Sequence, residues 1–206
     1  MRRNPPFIHP TAIVEDGAVL GTGTKVWHHC HIRTGSTVGD DCVLGKNVFV
    51  DAGAVVGDRC KIQNNVSVYH GVTIADDVFV GPAATFTNDL VPRAFNAEWK
   101  VSNTHVGTGA SIGANSTIVC GNDLGQYSMV AAGATVTRSV AAHQLVAGCP
   151  ARHRGWVCRC GQVVSREVEA PADLECRDCK ANTANTANQA NQADQANQAN
   201  QAKETR

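Results

Sequence analysis

Three groups of residues have types and spacings suited to chemistry. His28, His29 and His31 crowd into Val26-Trp27-His28-His29-Cys30-His31, and imidazole moves protons or binds metals near neutral pH. Asn88-Asp89 follows Phe86-Thr87; a carboxamide orients a reacting group and a carboxylate takes up a proton. Cys158-x-Cys160 and Cys176-x-x-Cys179 are separated by fifteen residues, and such paired thiols can complete a tetrahedral zinc site. One residue separates the first pair, fewer than the commoner two to four, so four free thiols remain the alternative. A four-thiolate zinc would be structural, because it leaves no position open for substrate. The plainer reading of Asn88 is a corner asparagine, and of each histidine a surface side chain.

The elements that must position these groups follow from a repeat. Steps of six from Ile8 give fourteen apolar anchors without a miss, ending at Val80 and Phe86. The phase breaks after Phe86 and resumes at Val106, Ile112, Ile118, Leu124, Val130 and Val136. Three residues after each anchor, fourteen of the twenty positions are Gly, Asn or Asp, the residues that best tolerate positive φ. A period of six fits neither a 3.6-residue helix nor a long alternating strand. It fits short strands joined by sharp corners, three hexads closing an eighteen-residue coil and coils stacking at strand spacing, roughly 4.8 Å. The core is then a narrow aliphatic column.

That column accounts for the composition. Hydrophobic residues make up 43%, yet only ten of 206 are Trp, Tyr or Phe, and 19 are Gly. Eighteen basic residues balance eighteen acidic ones, which argues against a nucleic-acid protein. No apolar run is long enough for a membrane span, and Met1-Arg2-Arg3-Asn4-Pro5-Pro6 lacks the apolar stretch of a signal peptide. Nine cysteines then indicate a reducing compartment, the cytoplasm. Cys30, Cys42 and Cys60 each follow an anchor by four and read as small interior residues. Asn122, at the same position, reads as an internally hydrogen-bonded asparagine.

The strings Ile62-Gln63-Asn64-Asn65-Val66-Ser67-Val68-Tyr69-His70-Gly71-Val72, Asp76-Asp77-Val78-Phe79-Val80-Gly81-Pro82, Phe86-Thr87-Asn88-Asp89 and Pro92-Arg93-Ala94 occur in order, with Val119-Cys120-Gly121 and Gly148-Cys149-Pro150-Ala151-Arg152 after them. On these, residues 7 to 160 resemble the hexapeptide-repeat acyltransferases. The branch they are similar to comprises bacterial enzymes that acetylate the 3-amino group of UDP-2-acetamido-3-amino-2,3-dideoxy-glucuronate for O-antigen precursors. His70 departs from this branch, where the position is often acidic.

The resemblance implies an all-β, left-handed parallel β-helix of about seven coils over residues 7–141, with one excursion loop at 92–105. The handedness comes from the resemblance, since crossovers generally prefer the right hand. Residues 142–157 would form a CoA-binding segment, 158–180 a zinc-ribbon-like segment, and 181–206 a disordered low-complexity tail of Ala-Asn-Thr and Ala-Asn-Gln triplets. Acetyl-CoA and a UDP-sugar are the implied substrates, and a homotrimer with intersubunit sites the implied assembly. Asn88, Asp89 and His29 are the catalytic candidates, and Phe86, Arg93, Asn64 and Tyr69 the substrate-binding ones. Ala131, Ala132, Gly148, Pro150, Arg152 and Arg154 would line the acetyl-CoA. Other sugar O- or N-acetyltransferases are the alternative. A γ-type carbonic anhydrase, with histidines on zinc, and a non-catalytic solenoid are more distant ones.

Overall fold

A computed structural model describes residues 4–181; the low-complexity tail from 182 onward lies outside the described residues. The hexads form the expected short parallel strands, arranged as three faces of a prism. The first face runs from Phe7–Ile8 through Lys25–Val26, Val43–Leu44, Lys61–Ile62, Phe79–Val80, Ser111–Ile112 and Met129–Val130 to Gln144–Ala147. The second carries Ile13–Val14, His31–Ile32, Phe49–Val50, Ser67–Val68, Thr85–Phe86, Thr117–Ile118 and Thr135–Val136. The third carries Val19–Leu20, Thr37–Val38, Val55–Val56, Val72–Ile74 and Thr104–Val106, continued by single bridges at Leu124 and Val140. Seven coils close, and Gln144–Ala147 opens an eighth, one strand beyond the expected end at residue 141.

The corners explain why this sequence coils. Seventeen of the twenty positions three after an anchor have positive φ, including His29, Arg59, Ala83 and Tyr127. The corner geometry is therefore imposed by stacking even where the residue resists it. The anchors from Val26 to Val136 are buried, each stacked on its equivalents one coil away, and each aliphatic side chain contributes about 1.5–3 kcal/mol on burial. Cys30, Cys42 and Cys60 are interior as expected. They also donate to backbone carbonyls of the next coil, at 2.9 Å to Gly45, 3.0 Å to Gly57 and 3.1 Å to Ala75. Asn122 is held by its own corner, its Nδ2 donating to the Val119 carbonyl at 2.7 Å.

The excursion is shorter than the sequence indicated. Thr104–Val106 already pairs in register with Val72–Ile74, so the loop closes at residue 103 rather than 105. Residues 90 to 100 are all exposed. Beyond the eighth strand the chain reverses: Arg152–Val157 pairs antiparallel with Gln144–Ala147, and Val163–Ser165 pairs antiparallel with Arg152–Val157. Among the described residues no helix is long and apolar enough to cross a membrane.

Candidate active site

An eighteen-residue coil places residues eighteen apart directly above one another. At the corner between the second and third faces this builds a polar ridge. Glu15, Arg33, Asp51, Tyr69 and Thr87 form one row, and Thr34, Ala52, His70 and Asn88 the row beside it. The His31 Nε2 lies 2.7 Å from a Glu15 oxygen, and Arg33 donates to Asp51 at 2.8 Å. Burial disfavours the Asp51 carboxylate. The N–H groups of Ala52 and His70 and the Arg33 guanidinium outweigh it and hold the carboxyl below its usual range. The Phe49 ring bridges His31 and Tyr69 in edge contacts at 5.6 and 6.0 Å.

His70 is the residue on this ridge best equipped for proton transfer, and it was absent from the expected site. Its Nδ1 lies 2.7 Å from the Ala52 carbonyl oxygen. A carbonyl only accepts, so Nδ1 carries a proton and a neutral ring presents Nε2 as an acceptor. Asn88 stands one coil further on at the same corner, roughly 4.8 Å along the axis. Its carbonyl accepts from the Ser102 N–H at 2.9 Å, while its half-buried carboxamide has no hydrogen-bond partner among the described residues. Asp89 beside it accepts from the Val91 N–H at 2.8 Å, bracing the start of the loop. The sequence signal for His70 was its departure from the branch pattern.

Other expected residues fall elsewhere. His29 occupies a left-handed corner, φ 58°, between the first and second faces. It lies three coils from Asn88 and Asp89, so one chain does not bring the three together. Asn64 shares that edge and is spent as a bracket, its Oδ1 accepting from the Lys46 N–H at 2.8 Å; Tyr69 lies at the other corner, on the ridge. Phe86 is 1% exposed. This corrects its assignment to substrate contact: an anchor facing the column packs under Thr87-Asn88 and touches nothing outside. Arg93 is exposed on the loop, its guanidinium donating to the Pro92 carbonyl and its own carbonyl accepting from the Asn96 N–H.

The expected CoA segment is drawn together at the C-terminal end of the prism. Ala131 donates to the Val146 carbonyl at 2.9 Å, and the Gly148–Ala151 turn pairs with Thr135 at 3.0 and 2.7 Å. Ala132, Gly148 and Pro150 are exposed there, as are Arg152 and Arg154 on the returning strand. A trough of about 560 Å³ on the third face was not foreseen. Its floor is the small or apolar run Ala75, Gly107, Leu124, Gly125 and Ala141, and the His105–Asp123 pair, 3.2 Å apart, lies at its rim.

Histidines do not assemble a metal site within one chain. His28 stacks on His9 at 3.5 Å, His31 holds Glu15, and His70 binds Ala52. Among the described residues the one converging set of three or more such ligands is Cys158, Cys160, Cys176 and Cys179, all sulfurs lying within 4.8 Å of one another. Burial disfavours the Cys158 thiolate, but the N–H groups of Cys160 and Cys176 and the thiols of Cys179 and Cys160 bring it down to about 7. The neighbouring thiols of Cys160, Cys158 and Cys176 push Cys179 up to about 12. A thiol set this compact fits a cation, which would relieve that mutual repulsion.

Comparison with known proteins agrees with this architecture. A family model described as "Hexapeptide repeat of succinyl-transferase" matches residues 36–70 and 104–138. The dTDP-3-amino-3,6-dideoxy-alpha-D-galactopyranose 3-N-acetyltransferase of Aneurinibacillus thermoaerophilus is 47% identical over 154 residues, 75% of this chain and 80% of that protein. A shorter match, 50% over 42 residues, joins 20% of this chain to 15% of the acyl-[acyl-carrier-protein]--UDP-N-acetylglucosamine O-acyltransferase of Brucella ovis. The acetyltransferase domain of PglB from Neisseria gonorrhoeae, solved with acetyl coenzyme A, shares the fold at a TM-score of 0.52 and 22% identity. The match covers 73% of this chain and 58% of that one. The stacked hexads, the single excursion and the extent of the match to the Aneurinibacillus enzyme together show that this chain belongs to the hexapeptide-repeat acyltransferases, built on a left-handed parallel β-helix.

Proposed function

We propose that this protein transfers acetyl from acetyl-CoA to the 3-amino group of a nucleotide-linked 3-amino-3-deoxy sugar, in the cytoplasm, during polysaccharide precursor synthesis. One observation carries the chemistry: the His70 Nε2 and the Asn88 carboxamide are uncommitted and sit one coil apart on the same ridge. The neutral amine attacks the thioester carbonyl, the C–S bond breaks, and CoA leaves as a thiolate. His70 Nε2 accepts the proton the amine sheds and returns it to the thiolate. Asn88 orients the amine and donates to the developing oxyanion. Asp89 keeps Asn88 in register through the loop. The exposed segment Gly148 to Arg154 takes the CoA phosphates, with Arg152 and Arg154 as forked donors, and Ala131-Ala132 flanks the pantetheine arm.

The acceptor has two candidates. The branch motifs favour UDP-2-acetamido-3-amino-2,3-dideoxy-glucuronate, whose carboxylate Arg93 would meet. The 47% identical relative favours a dTDP-linked 3-amino-3,6-dideoxyhexose. Both are 3-amino sugars, so acetylation of a 3-amino group is common to the two. Sites between subunits of a homotrimer would let His29 of one chain serve the Asn88 of the next. The exposed Phe95 and Trp99 on the excursion, and Phe79 on the first face, are apolar surface such an assembly would cover.

A thiol-release assay with acetyl-CoA and a panel of UDP-, dTDP- and GDP-linked amino sugars tests this. We expect turnover only with 3-amino sugars and a loss of at least about 10²-fold in kcat for Asn88→Ala, the scale of losing an oxyanion donor. Release with no amino sugar in the panel would overturn the reading, and near-normal kcat in a folded Asn88→Ala would remove that residue from the mechanism.

A further inference from the structure

We infer that Cys158, Cys160, Cys176 and Cys179 bind one zinc ion, which staples residues 173–181 to the turn that ends the returning strand. The four sulfurs lie within 4.8 Å of one another, with Cys160 and Cys176 at 3.5 Å. Four thiolates on a tetrahedral ion at about 2.3 Å stand roughly 3.8 Å apart, so only small adjustments bring them onto a metal.

The ligands come from two pieces of chain. The first is a tight turn, in which the Cys158 N–H donates to the Gln162 carbonyl and the Gly161 N–H to the Cys158 carbonyl, both at 2.8 Å. It rests on the last coils beside Tyr127 and Met129. The second is a helical turn in which the Lys180 N–H reaches the Cys176 carbonyl at 3.1 Å.

Little else explains why the second piece docks on the first. From residue 166 to 181, Cys176 is the one buried residue. Outside the cysteines the two turns are tied by an exposed hydrogen bond from Gln162 to Asp178 at 3.0 Å. Closing the intervening loop costs chain entropy, which the half-buried Pro171 and Leu174 and that single bond do little to offset. Coordination offsets it: each thiol loses its proton on binding, and the binding free energy becomes folding free energy of the segment. The closed thiolate set leaves no open position, so the ion takes no part in acyl transfer.

The same turn terminates Arg152–Val157, the strand that carries Arg152 and Arg154. Removing the ion should therefore loosen the proposed CoA segment, a consequence that rests on the acetyl-CoA reading while the zinc site does not.

The experiment is metal analysis of the full-length reduced chain by inductively coupled plasma mass spectrometry. We expect about one zinc per chain after dialysis, lost in Cys158→Ser and Cys176→Ser. As those variants can misfold, wild-type protein is also tested by cobalt exchange, which should give a thiolate-to-metal charge-transfer band and protect four thiols from a thiol reagent. A chain that neither retains zinc nor takes up cobalt, with all four thiols reactive, overturns the site. In calorimetry, zinc removal should weaken acetyl-CoA binding several-fold. Unchanged affinity with zinc demonstrated would discard only the coupling to CoA, and absence of acetyl-CoA binding in the zinc-loaded chain would count against the acetyltransferase reading instead.

Discussion

His70 and Asp51 show how one side chain sets the state of another. Asp51 accepts from the backbone N–H of His70, and the His70 ring anchors on the carbonyl of Ala52, the residue after Asp51. The ring is thus held from both ends of the same corner. Because the folded state depresses the Asp51 carboxyl, its stabilisation is present above the ordinary carboxylate range and lost as pH falls through the folded value. Asp51→Asn should accordingly cost about 1–2 kcal/mol at neutral pH, and the gap to wild type should shrink in acid, as pH falls through the lowered folded value and Asp51 itself becomes protonated. Urea denaturation at the two pH values reads this directly; an equal gap at both would mean that the charge of Asp51 is irrelevant. His70 could be found in the sequence only as an oddity, because its tautomer depends on a carbonyl one coil away.

At the scale of elements, the excursion and the coil before the one that launches it meet at one glycine. Gly71 has φ 88°, and a Cβ there would come within 2.4 Å of Val101 and 3.0 Å of Asn103, on the returning limb of the loop. Gly133 has φ 70° but open space around it. Gly133→Ala should therefore cost only backbone strain, about 1 kcal/mol, whereas Gly71→Ala adds displacement of the loop and should cost distinctly more. Thermal denaturation of the two variants compares them, and equal losses would show that the Gly71 contacts yield freely. The hexad phase located the loop to within two residues. Its closure at 103 was illegible because Thr104 pairs with Val72 across a register that the interrupted repeat does not count.

At the scale of the molecule, the candidate site residues occupy separate edges of one prism. His29 and Asn64 line one edge, Tyr69, His70 and Asn88 another, and no bend within a rigid stack of coils can merge them. A site using both edges requires a second chain, which is the physical ground for the homotrimer proposed above. Multi-angle light scattering should give three times the 21.7 kDa chain mass. An active monomer at assay concentration would confine catalysis to the Tyr69–Asn88 ridge.

The sequence by itself determined the coil. A six-residue apolar period with corner residues tolerant of positive φ calls for a triangular coil, though not for its hand, and interior positions such as Cys42 and Ile62 follow from counting. It also exposed the cysteine pairs, because ligand spacing is local. Tertiary structure alone decided which chemistry-bearing residues share an edge. The hexad count already turned the anchor Phe86 inward, whereas stacking set Asn64 to bracing the backbone and put His70 and Asn88 one coil apart at the same corner.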